Sequence, residues 1–333
     1  MKKILILSFL MFSFFLTTGC GKNSEADIIK DLSKKIDKLN AYQLEGNLEI
    51  VNNDDTYDYD VSVSFKKDQM YKVSLKNQAN NHEQIILKNN DGVYVLTPSL
   101  NKSFKFQSDW PNNNSQIYLL QSLISDIKED SNKNFEETTD TYIFTTRVNY
   151  PNNRKLVKQK ITFDKKLNPL KVEVLSDEDV PQMTMTFKNI DWKATFNDDH
   201  FALEEVMNSA SLDEEIIETS TLEDIIYPLY IPTGTKLTNQ DKVEKTDGER
   251  IIMSFDGEKP FLLVEETVSR EEELTIIPTY GEPYMLIDTV GAITDNSITW
   301  TSNGIEYYLV SDVMNQTELV EIAKSINVIP TMK

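Results

Sequence analysis

One cysteine, Cys20, stands in 333 residues, so the chain cannot close an intramolecular disulfide. It has two histidines, His82 and His200, far apart, and no H-E-x-x-H or C-x-x-C, which leaves zinc chemistry without a signature. Its ten glycines form neither G-x-G-x-x-G nor G-x-x-x-x-G-K-[ST], so dinucleotide and P-loop chemistry have no motif either. No G-x-S-x-G marks a serine nucleophile. Basic residues are scarce, 34 Lys and Arg against 54 Asp and Glu, for a net charge of −20. That balance argues against nucleic acid and against an electrostatic grip on anionic lipid, since each phosphate contact needs a cation. These absences point away from an enzyme, a cofactor or a metal site. What is present is a globular composition, 39% hydrophobic and 10% aromatic, with aromatic and β-branched residues recurring throughout.

The N-terminus has the order of a leader peptide. Lys2 and Lys3 precede Ile4 to Leu16, an apolar run with two serines, too short to span a bilayer but suited to a signal-peptide core. Thr17-Thr18-Gly19-Cys20 follows. This resembles a bacterial lipobox, with Thr17 where Leu is usual. The resemblance implies cleavage before Cys20 and a diacylglycerol on its sulfur, the membrane being the implied partner. Two acyl chains hold stably where one does not, and a secreted protein seldom keeps one unpaired thiol. The expected layout is a leader over 1–19, an acylated tether over 20–23, and an extracytoplasmic body on the outer face of the cell membrane.

Ser24 to Asn40 reads as a helix, with Ile28, Ile29, Leu32, Ile36 and Leu39 at helical spacing and Ser24 or Asn23 as cap. From Tyr42 the period becomes two, through runs around Leu44 to Ile50, Tyr57 to Phe65, Tyr71 to Leu75, Ile85 to Leu87, Val93 to Leu96, and Phe104 to Phe106. Ile117 to Ile127 marks a second amphipathic helix. Strands resume at Tyr142 to Val148, Leu156 to Phe163, Leu170 to Leu175 and Met183 to Phe187. Nearly all of these strands are apolar on one face. A large one-faced sheet with two helices available is most economically a strongly curved antiparallel half-barrel wrapped around both.

The body is thus expected as a curved-sheet domain over 24–208, an acidic linker over 209–224, and a smaller α+β domain over 225–333. The acidity is concentrated late: residues 213–333 hold 8 Lys and Arg against 24 Asp and Glu. Acidic surface of this density is read as solvation. Asn81-His82-Glu83 and Asp198-Asp199-His200 place both histidines in polar surroundings, read as satisfied surface residues. The stretch Asp198 to Glu205 has carboxylates but lacks calcium-loop spacing.

The segment Ile161 to Leu203, with its D-x-L-x-P turn, hairpin, "FKNIDW" and "DDHFAL", resembles the LolA/LolB/RseB-like superfamily of lipoprotein carriers and lipid-sensing regulators, over about residues 24–205. "YIPTGTKL", "MSFDGEKPFLLVEE" and "ITWTSNGIEYYLVSD" resemble a domain appended in Gram-positive spore formers. The two-domain plan is similar to YdcC-like sporulation lipoproteins and, more distantly, to germination lipoproteins of the GerS kind. The resemblance implies an anchored binding or scaffold protein. Its alternatives are a lipid-sensing regulator of an anti-sigma factor and a non-catalytic partner of a cell-wall amidase. The expected ligand-holding face is concave, lined by Tyr59, Val61, Val63, Tyr71, Val73, Phe104 and Phe106, and it would take an acyl chain or a membrane-protein partner's apolar segment. The competing expectation is that the two helices fill it.

Overall fold

A computed structural model describes residues 24–52, 55–150, 153, 155–211, 225–245 and 248–326. The leader, Cys20 and most of the expected linker (212–224) lie outside the described residues.

The chain opens with α1 (Glu25–Asp37). Ser24 caps it: its hydroxyl accepts the Asp27 amide, and the Asp27 carboxylate accepts the Ser24 amide, each at 3.2 Å. Six strands follow, β1 (Ala41–Asn52), β2 (Asp55–Lys66), β3 (Met70–Asn77), β4 (Glu83–Asn89), β5 (Gly92–Thr97) and β6 (Lys102–Phe106). After α2 (Leu120–Glu129) come β7 (Asn134–Glu137), β8 (Thr141–Arg147), β9 (Leu156–Asp164), β10 (Pro169–Ser176) and β11 (Pro181–Asp191). The sheet runs β6-β5-β4-β3-β2-β1-β11-β10-β9-β8-β7. It is two antiparallel meanders joined at β1, which pairs with β2 along its whole length and with β11 on its other side. A bulge at Glu45/Gly46 interrupts the second pairing. There a Cβ on Gly46 would lie 2.4 Å from the Thr186 carbonyl, so only glycine permits the approach.

One core joins α1, α2 and the inner faces of both meanders, from Tyr42 and Leu44 to Phe144, Ile161 and Val172. The architecture is α+β, an open curved sheet around two helices, as the alternation implied. β4 and β5 depart from the one-faced pattern. Ile85, Leu87, Tyr94 and Leu96 pack outward against α3 (Leu203–Ser211), with Phe201, Val206 and Met207. Burial on both faces explains their unbroken apolar runs. The same helix takes residues 209–211 from the expected linker.

A second sheet holds β12 (Thr235–Lys245), β13 (Gly248–Gly257), β14 (Phe261–Thr267), β16 (Glu282–Met285), β17 (Val290–Ile293), β18 (Ser297–Ser302) and β19 (Ile305–Val310). Its order is β12-β13-β14-β19-β18-β17-β16, and α4 (Gln316–Lys324) covers one face, its core built on Met253, Leu263, Tyr307 and Leu319. The missing number, β15 (Thr275–Thr279), leaves this unit and pairs parallel to β6, becoming the twelfth strand of the first sheet. The two sheets are therefore interlocked rather than strung on a linker. Arg270 reinforces the crossing by donating to the Pro98 and Ser99 carbonyls at 2.9 and 3.2 Å.

Candidate functional site

The space expected in the concave face is occupied. Tyr59, Val61, Val63, Tyr71 and Val73 are at most 3% exposed and belong to the core that α1 and α2 fill with Ile28, Leu32, Leu123 and Ile127. The empty volume lies at the seam between the two sheets. Tyr59 serves that seam, its hydroxyl donating to the Ile287 carbonyl at 2.6 Å. Gln84 serves it too, its side-chain oxygen accepting from the Thr289 hydroxyl at 3.0 Å and from the Val290 amide. Both anchors are buried, so each bond stands in a low dielectric.

One cavity at this seam measures about 280 Å³, close to the lower limit of about 300 Å³ for small-ligand sites. The first sheet supplies Leu48 and Ile50 from the end of β1, Met183 from β11, and Trp110 and Tyr118 from the loop before α2. The second unit supplies Tyr230, Tyr284, Leu286, Glu321 and Lys324. Tyr118, Tyr150 and Tyr284 have their hydroxyls pushed well above the usual phenol range by burial, so they stay neutral O–H donors. Among the described residues these three hydroxyls have no hydrogen-bond partner. At the rim Lys155 pairs with Glu321 at 3.1 Å.

A second cavity, about 350 Å³, contains the remaining two expected residues, Phe104 and Phe106. It lies under β15, opposite Tyr308 and Glu306 of β19. Burial raises the Glu306 carboxyl, with Lys102 acting in the opposite sense. The sequence pattern missed both cavities because each forms between elements more than a hundred residues apart.

The histidines carry no site. The His200 imidazole stacks on Phe196 at 4.3 Å and shares a hydrogen bond with Ser64 at 2.9 Å. Burial first, and Lys72 second, bring its pKa down to about 4. Burial does the same to His82, whose Nε2 is buried without a hydrogen-bond partner among the described residues, so His82 is not the satisfied surface residue expected. Among the described residues no three His, Cys, Asp or Glu side chains are grouped for a metal, and no helix is long and apolar enough to cross a membrane.

Tyr230 reaches the cavity because its segment is tethered beside it. Glu265 of β14, fully buried, accepts the Ile226 amide at 3.2 Å, and the Leu229 amide bonds Ser325 at 3.1 Å. Burial pushes the Glu265 carboxyl up to about 7, the Ile226 bond acting in the opposite direction. Its folded value thus lies above the unfolded one, so the native state holds the proton more tightly. Its contribution to stability is full in acid and declines as pH rises through about 7. Glu265→Gln keeps the acceptor and removes the ionisation. The variant is expected to melt higher than the parent at pH 8 and nearly with it at pH 5. Equal melting at both would place the titration elsewhere.

A sheet curved round two helices, with a cavity where a second sheet docks, defines a two-sheet α+β protein with an interfacial cavity. The chain belongs to the YdcC-like sporulation protein family. That family's model, described as sporulation protein YdcC-like, matches residues 1–201. The chain is 35% identical to sporulation protein YdcC of Bacillus subtilis (strain 168), over 97% of this chain and 96% of that one. Among solved structures, the Pseudomonas aeruginosa MucA/MucB complex is 13% identical with a TM-score of 0.32, covering 89% of this chain and 98% of that one. The Clostridioides difficile CwlD amidase–GerS lipoprotein structure is 18% identical with a TM-score of 0.23, covering 54% and 100%.

Proposed function

We propose that this chain is a lipid-anchored protein on the outer face of the cell membrane that serves sporulation by binding, not by catalysis. Its binding site is the seam cavity. The observation that carries this is the cavity's composition, an apolar floor of Leu48, Ile50 and Met183 under tyrosine hydroxyls that have no partner among the described residues. The family membership supplies the sporulation context.

The anchor and the cavity are compatible in space. Glu25, at the start of α1, pairs with Lys133 at 3.7 Å. Lys133 precedes β7, whose Asn134 faces Thr145 of β8, and Arg147 of β8 faces Lys158 of β9. Leu156, at that same end of β9, is in the cavity wall. A tether of four residues spans at most about 14 Å, so an acylated Cys20 would hold this end of the sheet, and the Lys155–Glu321 rim with it, toward the bilayer.

Native mass spectrometry of the protein extracted from membranes tests the reading. A co-purifying small amphiphile, retained across several detergents, is expected beyond the mass of the acylated chain. The bare acylated mass under every condition would overturn it.

A further inference from the structure

Among the described residues the cavity has three charged side chains, Lys155, Glu321 and Lys324, which balance to one positive charge inside a strongly acidic molecule. Two of them cancel. Lys155 holds Glu321 at 3.1 Å, and both sit at the rim, with 68% and 38% of their side chains exposed. Lys324, one turn on in α4, is left over. Among the described residues it has no ion-pair partner, Glu321 acting on it only from beyond contact and Lys155 repelling it. Burial lowers its pKa, with the charge of Glu321 acting in the opposite direction and Lys155 adding to the lowering. A half-buried cation with no ion-pair partner among the described residues, in a wall shared with three O–H donors, is the complement of an anion that accepts hydrogen bonds. The floor beneath it is apolar.

We infer that the seam cavity takes a single-chain anionic amphiphile, its carboxylate or phosphate head on Lys324 and the tyrosine hydroxyls and its chain along Leu48, Ile50 and Met183. This rests on the seam cavity being the binding site, and it names the chemistry of the occupant. A chain of one strand suits about 280 Å³, whereas a whole diacyl lipid exceeds it. Glu321 then sets selectivity, since its carboxylate opposes an anionic head and is tolerated only while Lys155 holds it.

The test uses the full chain in phosphatidylcholine nanodiscs with three photoactivatable probes: a palmitate, a lysophosphatidate, and the neutral methyl ester of the first. Adducts are mapped by mass to the cavity peptides and titrated. Half-maximal labelling by at least one anionic probe is expected at about tenfold lower concentration than by the ester. Lys324→Gln is expected to bring anionic labelling to the ester's level, and Glu321→Gln to strengthen it, with ester labelling unchanged in both. Two variants that move in opposite directions exclude misfolding as the cause. Labelling by one anionic probe alone supports the proposal and fixes the head group. Equal labelling by all three, or a preference that survives Lys324→Gln, overturns the anionic head while leaving the cavity as a binding site. If no probe labels the cavity, both readings fall.

Discussion

Cys20→Ala is expected to abolish acylation, leaving either soluble unacylated protein or an uncleaved precursor. The loss of label should be nearly complete, because the proposed attachment point is the single cysteine sulfur. The chain is acidic throughout its later half, so anionic lipid repels it. Among the described residues no helix is long and apolar enough to substitute. In the proposed anchor two acyl chains would supply the hold, at about 0.8 kcal/mol per buried methylene, and removing the sulfur would remove both. Fractionation with metabolic palmitate labelling measures it. A variant processed and pelleted like the parent would remove the anchor from the proposed function and leave the seam cavity as it stands. The two claims therefore fail separately, which matters because the cysteine bears on where the protein works and the cavity on what it holds.

Local chemistry announced itself well in this sequence, and long-range chemistry did not. The Ser24–Asp27 cap and the Ile28, Leu32, Ile36 stripe were readable because capping and helical periodicity act within four residues. The strands of the first sheet were readable because one face of most of them is buried. β12 escaped notice: Lys236 to Lys245 alternates in neither hydropathy nor burial, and the strand exists only through its ladder to β13. β7, four residues with little burial, escaped for the same reason. The crossing of β15 was invisible, since Thr275 to Thr279 gives no sign of which sheet it will join. Of the two expectations for the concave face, the filled one describes Tyr59, Val61, Val63, Tyr71 and Val73, while Phe104 and Phe106 line a cavity. Periodicity identifies Tyr59, Val61 and Val63 as inward-facing but cannot say whether α2 has room to fill the space, and Leu123 and Ile127 do fill it. Lys324 is a basic residue in the last turn of α4, a common placement in sequence, and only the docking of α4 brings it into the cavity wall with Leu48 and Ile50 of β1.

Trp110→Ala is expected to cost about 3–5 kcal/mol, the range for deleting a buried indole, and to open the seam cavity at the same stroke. Trp110 is 1% exposed and ends a file of rings: Tyr42 on Phe65, Phe65 on Tyr71, each at 5.1 Å, then Tyr71 edge-on to Trp110 at 5.8 Å. Its backbone is fixed independently, the carbonyl by Lys88 at 2.7 Å and the amide by Ser108 at 2.9 Å. The loop cannot collapse into the void without breaking those bonds, so the cavity term is paid nearly in full. A melting temperature lower by about 10 °C follows from about 2–4 °C per kcal/mol in a chain of this size. Trp110→Phe should recover about half of it, and Leu170→Ala, on the exposed outer side of β10, should stay within about 0.5 kcal/mol of the parent. Because the indole is in the cavity wall, the alanine variant should also label more readily with the neutral methyl-ester probe, the reverse of its effect on stability. A variant that loses stability without gaining ester labelling would show that Trp110 supports the core of the first sheet alone and that the seam cavity is bounded by other residues.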